Sequence, residues 1–447
     1  MTRRARHHAF VCAALLVVAS QPAAASPELD FGFGARSQAL AGAGTALADD
    51  SAAVFQNPSG LVRAEGVTVT LGYANMSYGL SDNGARTSLP TVNALEGGLV
   101  VPGQIRGVPV AFGLSLALPD GKLSRLRQAD VTEPYWPLDD AGPRLVDVGT
   151  GFAARPIPEL VVGAGVGFVA SLRGTFGVHG DVVAADGQGA EYQSNLHHAV
   201  DADLTASRFP LAGIGWLPTP NLAFGLAYRG AATVVHRIQA MLDGNLSVDQ
   251  NSLPVRYTFE SRSDVAYQPA QVSLGASYRP LPSLLATAQL DWQRYAPFPS
   301  PYTETSSHVA LPPDAGIHVP DTVPVPAPAA RFHDRFVPRV GVEPRFALTP
   351  ALELRLRAGY AFERSPAPKL QPATRFLDLD RHVVAAGAGL EWRRPVPLFD
   401  ALRLDLSLAD AVGVARTEST SAGSDRASGH VLLAGASLTL VFGDPSN

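Results

Sequence analysis

Few residues of the sequence have the types and spacing of a catalytic or metal site. His197 and His198 are adjacent imidazoles in a predicted loop, and a solvated pair is the simpler interpretation because a metal site needs further ligands. The chain contains no phosphate-binding Gly-x-x-x-x-Gly-Lys, no His-Glu-x-x-His and no Gly-x-Ser-x-Gly. The sequence therefore predicts no enzyme activity, no cofactor and no metal site.

The elements available to position a binding site are β-strands. Leucine occupies every second position from 402 to 408, with Arg403 and Asp405 between the leucines, and 352–362 alternates in the same way around Arg355. A period of two residues is that of a strand with one apolar and one polar face. After residue 25 no window reaches the about 18 consecutive apolar residues that a membrane-spanning helix needs. The sequence predicts an all-β protein.

Tight turns divide the chain into hairpins. Six short breaks are marked by proline, which is expected between strands rather than inside them: Pro156–Pro158, Pro218–Pro220, Pro280–Pro282, Pro395–Pro397, Pro102–Gly107 and Thr349–Pro350. Six such turns predict seven hairpins and fourteen strands. We expect these strands near 67–78, 92–101, 108–118, 145–154, 160–175, 202–216, 221–242, 256–279, 283–294, 336–347, 351–362, 382–394, 400–412 and 429–442, with the eighth interrupted near Pro269.

Short turns at one end and long polar loops at the other are typical of an outer-membrane barrel, which must close because unpaired edges are costly in hydrocarbon. A secreted β-sandwich or a soluble barrel is the competing interpretation, but a sandwich should not bury charges such as Arg355 and Arg403. Trp216, Trp292 and Trp392 fall at strand ends, as an interfacial aromatic girdle requires. The segment 296–335 has nine prolines between 297 and 328, and we expect an extended surface loop without helix or strand.

The N-terminus has the pattern of a cleaved signal peptide over residues 1–25. Three arginines precede the apolar run Ala9–Ala19, and small residues follow at Ala23–Ala25. The one cysteine, Cys12, lies in this segment, so the mature chain would hold no disulfide and no thiolate metal site. The formal net charge of −5 makes a nucleic-acid partner an unlikely interpretation, and a composition of 46% hydrophobic residues excludes a disordered chain.

Residues 26–65 do not alternate. They contain Phe31-Gly-Phe33-Gly, then Ala41-Gly42-Ala-Gly44 leading to Asp49-Asp50, then Asn57-Pro58-Ser59. This stretch resembles the N-terminal hatch of the FadL-type family of outer-membrane hydrophobic-compound transporters, which includes toluene transporters. In that family the last motif is Asn-Pro-Ala, so Ser59 departs from the pattern by one small residue. The resemblance continues through 269–275, 290–292, 356–366 and 380–382.

The resemblance implies a fourteen-stranded antiparallel transmembrane β-barrel over 66–442, with the hatch 26–65 inside the lumen and a short tail at 443–447. It further implies an outer-membrane protein, embedded in outer-membrane lipid, that takes up long-chain fatty acids or aromatic hydrocarbons passively. We expect this protein to be a monomer. The steps are capture at the loops, transfer to a lumen pocket, displacement of the hatch and exit sideways through a kinked strand. The residues expected to form the hatch and gate are Phe31, Phe33, Gly42, Gly44, Asp49, Asp50, Asn57, Pro58 and Ser59.

Each of these residues also has an ordinary interpretation. Asn57-Pro58 is a common turn starter, Gly42 and Gly44 are compatible with any tight bend, and Asp49-Asp50 could cap a helix or remain solvated. The hatch interpretation therefore depends on their order along the chain.

One face of the fifth strand carries three successive glycines. Gly163, Gly165 and Gly167 alternate with apolar residues that would face lipid, so the bare face would look into the lumen. Because glycine admits a close backbone approach, we expect the hatch to pack there, near Phe31 or Phe33. The alternative is a strand weakened for curvature.

Two other functions remain open at this point. One is a non-specific polar porin. The other is a barrel that serves only as a surface scaffold or adhesin, with the proline-rich loop as its contact surface.

The alternating Leu438, Leu440 and Phe442 resemble the assembly signal of bacterial outer-membrane proteins, although five residues follow.

Overall fold

The computed structural model describes residues 32–120, 133–139, 146–184, 193–248, 251–311, 322–371, 374–420 and 423–443. Within them, fourteen strands form one closed antiparallel barrel, and the predicted strand number is confirmed. The barrel strands are β1 Val67–Tyr78, β2 Val92–Ile105, β3 Val108–Pro119, β4 Asp147–Ile157, β5 Leu160–Ala184, β6 Gln193–Thr219, β7 Leu222–Arg229, β8 Ala270–Leu281, β9 Leu284–Arg294, β10 Arg335–Thr349, β11 Leu352–Glu363, β12 Arg381–Val396, β13 Phe399–Thr420 and β14 Gly423–Phe442.

The first and last strands close the wall. β1 pairs with β14 from Val67 opposite Phe442 to Tyr78 opposite Val431, so neither edge is left open. Six two-residue turns join the hairpins at one end of the barrel, at the six breaks that proline and glycine mark in the sequence. The long connections all lie at the other end. We call these the short-turn end and the long-loop end.

The predicted strands 221–242 and 256–279 were wrong in their extent. β7 ends at Arg229 and β8 begins at Ala270, with a break at Pro269. Between them, Ala232–Val248 and Asn251–Gln268 form a hairpin beyond the wall that pairs in parallel with the outward continuation of β5, where Arg237 lies opposite Arg173. Local alternation is the same in a wall strand and in a hairpin above it, so the sequence pattern did not separate them.

The proline-rich loop was also expected to contain no strand, and this was wrong. Glu304–Ala310 pairs with the Asn251–Gln268 strand, and Val323–Val325 pairs with Glu304–Ala310. No proline lies within 304–310, and Pro324 sits in the outermost strand, where a missing N–H costs no ladder bond. A further short hairpin, Ser81–Asp82 with Ala85–Arg86, pairs with β14.

The two faces of the wall differ as the alternation predicts. On β13, Leu404, Leu406 and Leu408 are 43%, 50% and 54% exposed on the outer face, whereas Asp405 and Ser407 are buried on the lumen face. Trp216 and Trp392 are half exposed near the short-turn end. An apolar outside and a polar inside are what a wall in hydrocarbon requires.

Three short helices lie inside the barrel before β1. They are α1 Ala35–Ala39, α2 Ala53–Gln56 and a 3₁₀ helix over Pro58–Arg63, and their connections complete what we call the hatch, residues 32–66. The 3₁₀ helix begins where it does because Pro58 occupies its first position and the Asn57 side chain accepts from the Ser59 N–H. No helix in the described part of the chain is long and apolar enough to cross a bilayer.

Candidate functional site

The Asn57-Pro58-Ser59 turn holds the hatch against one side of the lumen. Asn57 is almost fully buried, and its Nδ2 donates to the carbonyls of Thr45 at 2.9 Å and Ile214 in β6 at 3.3 Å. Its Oδ1 accepts from the backbone N–H and the hydroxyl of Ser59 at 3.2 and 2.6 Å. One amide thus fastens two parts of the hatch to each other and to the wall.

Small residues on the wall make this close approach possible. A Cβ on Gly163 would lie within 3.0 Å of the backbone of Pro58 and Ser59. Gly165 instead faces the Thr150 carbonyl of β4, and Gly167 is covered by the ring of Phe209. Of Gly163, Gly165 and Gly167, only Gly163 therefore lies against the hatch.

The phenylalanines of the hatch lie elsewhere. Phe33 is buried and packs on Phe55 with ring centroids 5.5 Å apart, away from Gly163. Phe31 lies outside the described residues. The expected contact of Phe33 with the glycine face is therefore replaced by a contact of the Pro58 turn.

Gly42 and Gly44 form a tight bend. Gly42 has a φ of 77°, a conformation that favours glycine, and lies beside the Arg339 guanidinium. A side chain on Gly44 would overlap the amide of Gln56. This bend exposes the Ala41 and Ala43 carbonyls to wall donors.

Asp49 and Asp50 surround Arg36 of α1. Arg36 pairs with Asp49, lies 3.6 Å from Asp50, and through Nε reaches the fully buried Glu343 of β10 at 3.2 Å. Although burial opposes ionisation, the charge of Arg36 holds the pKa of Asp49 below its ordinary value. Burial raises the pKa of Asp50. The two adjacent carboxyls are therefore not equivalent: Asp49 is the counter-ion of Arg36.

On the opposite side of the lumen, a charged part of the wall forms hydrogen bonds with the hatch backbone. We call it the charged wall. Arg339 pairs with Asp291 at 2.8 Å and Glu363 at 3.1 Å, and its third contact is a hydrogen bond of 2.9 Å to the Ala41 carbonyl. The amide oxygen of Gln289 accepts from the Thr45 N–H at 2.9 Å.

Glu343 joins the hatch to the rest of the charged wall. It receives Arg357 at 2.8 Å and Arg345 at 2.8 Å in addition to Arg36. Arg357 also pairs with Asp405 at 2.6 Å. The alternating charges predicted an ionic lumen face, but not which charges would meet, because Arg36 and Glu343 are 307 residues apart.

Gln38 of α1 was also missed. It is completely buried, donates to Glu96 of β2 at 3.1 Å and accepts from Ser407 of β13 at 2.8 Å. A lone glutamine in a five-residue helix carries no signal in the sequence.

A small cavity lies in the lumen beside the hatch. Between the Phe33–Phe55 pair and the charged wall lies a cavity of about 50 Å³, which we call the lumen cavity. Binding pockets for drug-sized ligands are usually about 300–1,000 Å³, so this cavity is too small for such a molecule. The polar lining comes from Gln56, Asp147, Arg229, Gln271, Asp291 and Arg339.

Apolar residues fill the lumen on the long-loop side of the hatch. This inner apolar cluster contains Ala41 of the hatch together with wall and loop residues, including Met76, Tyr78, Leu80, Trp136, Val383 and Leu433. Further out, the loops form what we call the outer aromatic cluster: Tyr135, Tyr295, Phe298, Tyr302, Phe332 and Phe376. Phe298 and Phe332 stack there at 4.1 Å, and Tyr302 and Phe376 at 5.3 Å.

The histidine pair lies in a strand. His197 and His198 are part of β6 rather than a loop. The described ranges contain no group of three or more His, Cys, Asp or Glu placed to hold a metal ion.

Comparisons with known proteins agree with this architecture. A family model described as outer membrane protein transport protein (OMPP1/FadL/TodX) matches residues 15–415. No curated protein matches the chain.

Several solved structures share its fold. A Pseudomonas aeruginosa FadL homologue is 17% identical with a TM-score of 0.54, over 92% of this chain and 98% of that one. The CymD monoaromatic hydrocarbon channel is 16% identical with a TM-score of 0.56, over 93% and 99%. The P. putida toluene transporter TodX is 15% identical with a TM-score of 0.54, over 92% and 99%.

Proposed function

The chain belongs to the outer-membrane protein transport family of FadL and TodX, and on that premise we propose that it is a channel for passive uptake of hydrophobic small molecules across the bacterial outer membrane. The substrates are long-chain fatty acids or aromatic hydrocarbons. Two proteins that share its fold are described as a monoaromatic hydrocarbon channel, CymD, and a toluene transporter, TodX. One observation carries the proposal. On the long-loop side of the hatch, the inner apolar cluster and the outer aromatic cluster fill the barrel with apolar and aromatic side chains.

Capture takes place at the outer aromatic cluster. Phe298 and Phe332 are almost fully buried against each other, and when these rings part they offer an apolar solute a surface that excludes water. From there the inner apolar cluster continues the apolar path down to Ala41 of the hatch. A solute moving along this path keeps its surface out of water, at roughly 25 cal/mol per Å² of apolar area.

The hatch is the gate. Its contacts with the wall include two ion pairs, Arg36 with Glu343 and Glu65 with Arg403, and hydrogen bonds such as those of Gln38, Thr45 and Asn57. Each hydrogen bond contributes only about 0.5–1.5 kcal/mol net, so the hatch can undock while the fourteen-stranded wall stays closed.

The solute then leaves sideways through the wall into the bilayer. Lateral exit spares an apolar molecule an aqueous crossing at the short-turn end. The ladders of β2, β3 and β4 are continuous and contain no kink at lumen level, with a register shift only beside the β4–β5 turn. The β13–β14 ladder does shift register, between Gly413 and Arg416, and an irregular position of this kind is where the wall can open for sideways exit when the hatch moves.

A non-specific polar porin is the first alternative. Such a pore needs a continuous aqueous channel, whereas the lumen cavity is about 50 Å³ and an apolar cluster lies above it. A surface scaffold or adhesin is the second alternative, and it assigns no role to the contacts between hatch and wall.

Uptake by the purified protein in liposomes tests the proposal. Labelled toluene and labelled oleate should enter faster than through empty liposomes, while labelled glucose should not. A variant that lacks residues 26–60 should show more frequent open events in planar bilayers and still migrate as a heat-modifiable barrel. Entry of glucose at the rate of toluene would favour the porin, and no entry of any solute would favour the scaffold.

A further inference from the structure

A larger cavity lies beneath the hatch at the short-turn end of the barrel. Its volume is about 540 Å³, within the range of small-molecule binding sites. We call it the turn-end cavity. Its rim is formed by exposed turn residues, including Glu159, Thr219 and Asn221.

Three arginines from different elements line this cavity. Arg63 comes from the hatch, Arg155 from β4 and Arg279 from β8. Among the described residues none of the three lies within 4.0 Å of a carboxylate oxygen, and Glu159 is the one acid in the lining. Elsewhere in the lumen, arginines such as Arg339 and Arg357 have carboxylate partners.

The hydrogen bonds of these guanidinium groups are to backbone carbonyls. Arg63 donates to Ala46 at 2.9 Å, and Arg155 donates to Pro158 at 3.0 and 2.6 Å. The Nε of Arg279 is buried and has no hydrogen-bond partner within the described part of the chain. A buried donor of a charged group without an acceptor is costly, and an anion in the cavity would supply one.

The local field also favours an anion. Burial lowers the pKa of the Arg63 guanidinium, and the like charge of Arg279 adds to this effect against the attraction of Asp49. An anion between the arginines would relieve this repulsion.

The lining also contains apolar residues. Val62, Leu217 and Leu285 lie beside the arginines. We propose that the turn-end cavity binds an alkyl carboxylate, with its carboxylate on Arg63, Arg155 and Arg279 and its chain along these aliphatic side chains. Because Arg63 belongs to the hatch and the other two belong to the wall, the bound anion links hatch and wall. The inference concerns binding and holds whether or not the barrel transports its ligands.

The test is equilibrium binding of labelled octanoate to the full chain in nanodiscs of phosphatidylcholine, corrected with empty nanodiscs. The variant Arg155→Gln/Arg279→Gln should bind octanoate at least tenfold more weakly than the wild-type protein. Arg106→Gln, which changes an exposed arginine of the β2–β3 turn, is the matched control and should bind like wild type. Labelled octanol should bind equally to all three proteins.

Three results would overturn the assignment. Unchanged octanoate affinity in the double variant would show that Arg155 and Arg279 do not bind octanoate. Competition by inorganic phosphate as strong as that by unlabelled octanoate shows a bare anion site. Loss of octanoate binding in Arg229→Gln but not in the double variant moves the ligand to the lumen cavity.

A second measurement uses the unaltered protein, so it does not depend on folding of a variant. Octanoate should slow phenylglyoxal modification of Arg155 and Arg279, read by mass spectrometry, and leave Arg106 unaffected. Equal modification of these arginines with and without octanoate contradicts the proposal.

Discussion

A methyl group at residue 163 should undock the hatch without breaking the barrel. A Cβ on Gly163 would lie within 3.0 Å of the Pro58 and Ser59 backbone, closer than real Cβ atoms come. To restore ordinary contact in Gly163→Ala, the turn must retreat by about 1 Å, since the cost of overlap exceeds that of a small shift. The hydrogen bond from Asn57 to Ile214 is already 3.3 Å long and would be lost.

The size of the effect follows from overpacking. Added methyl groups in tightly packed sites cost about 1–3 kcal/mol, which is about a 5- to 150-fold shift between docked and undocked hatch. A reporter Ser51→Cys in the hatch, buried in the docked state, reads this shift as the rate of maleimide labelling. Gly103→Ala is the matched control, because nothing lies within 4 Å of a Cβ at that wall glycine.

The expected result is faster labelling in Gly163→Ala, by about the factor given above, unchanged labelling in Gly103→Ala, and heat-modifiable migration in both. If Gly163→Ala labels at the wild-type rate while its barrel unfolds at a lower temperature, the wall strands and not the hatch turn have shifted to make room for the methyl group. That result would refute the argument from Gly163.

Three further predictions concern the contacts of the hatch and the capture site. Asn57→Ala removes four hydrogen bonds of a buried side chain, so docking should weaken by about 2–4 kcal/mol, seen as faster labelling of the Ser51→Cys reporter; wild-type labelling would contradict it. Glu343→Gln leaves three arginines without their shared carboxylate and should lower the free energy of unfolding in urea by about 3–5 kcal/mol. Glu353→Gln, at a partly exposed pair, should lower it by about 1 kcal/mol or less. Equal losses in the two variants would reject the distinction between the buried and the exposed pair. Phe298→Ala removes the ring stacked on Phe332 and should raise the toluene concentration needed for half-maximal uptake without changing hatch labelling, whereas unchanged uptake would exclude Phe298 from capture.

Much of the barrel could be predicted from local sequence signals. Two-residue alternation such as that of 402–408 fixes which side chains face lipid, and the breaks marked by proline or glycine fix how many strands there are. The hairpin between Arg229 and Ala270 escaped prediction because alternation reports a pleated strand and not its height above the membrane.

The contacts of the hatch were less predictable. The Asn57 turn is encoded locally, since Asn and Pro each fix their own backbone. Its seat on Gly163 follows from the curvature of the closed wall, and the partner of Arg36 lies on β10 far along the chain. The sequence indicated a glycine face and an ionic face but not which hatch residues would meet each of them.

A reversible lock on the hatch tests the central claim most directly. A Cβ on Gly275 of β8 would lie 3.5 Å from the Cβ of Ala46, at the short end of the about 3.5–4.5 Å range for disulfides. The variant Ala46→Cys/Gly275→Cys should take up labelled toluene when reduced, stop when oxidised and resume after a reductant is added, whereas each single variant should be insensitive to oxidation. Uptake by the oxidised double variant at the rate of the reduced one would show that solutes pass without movement of this part of the hatch.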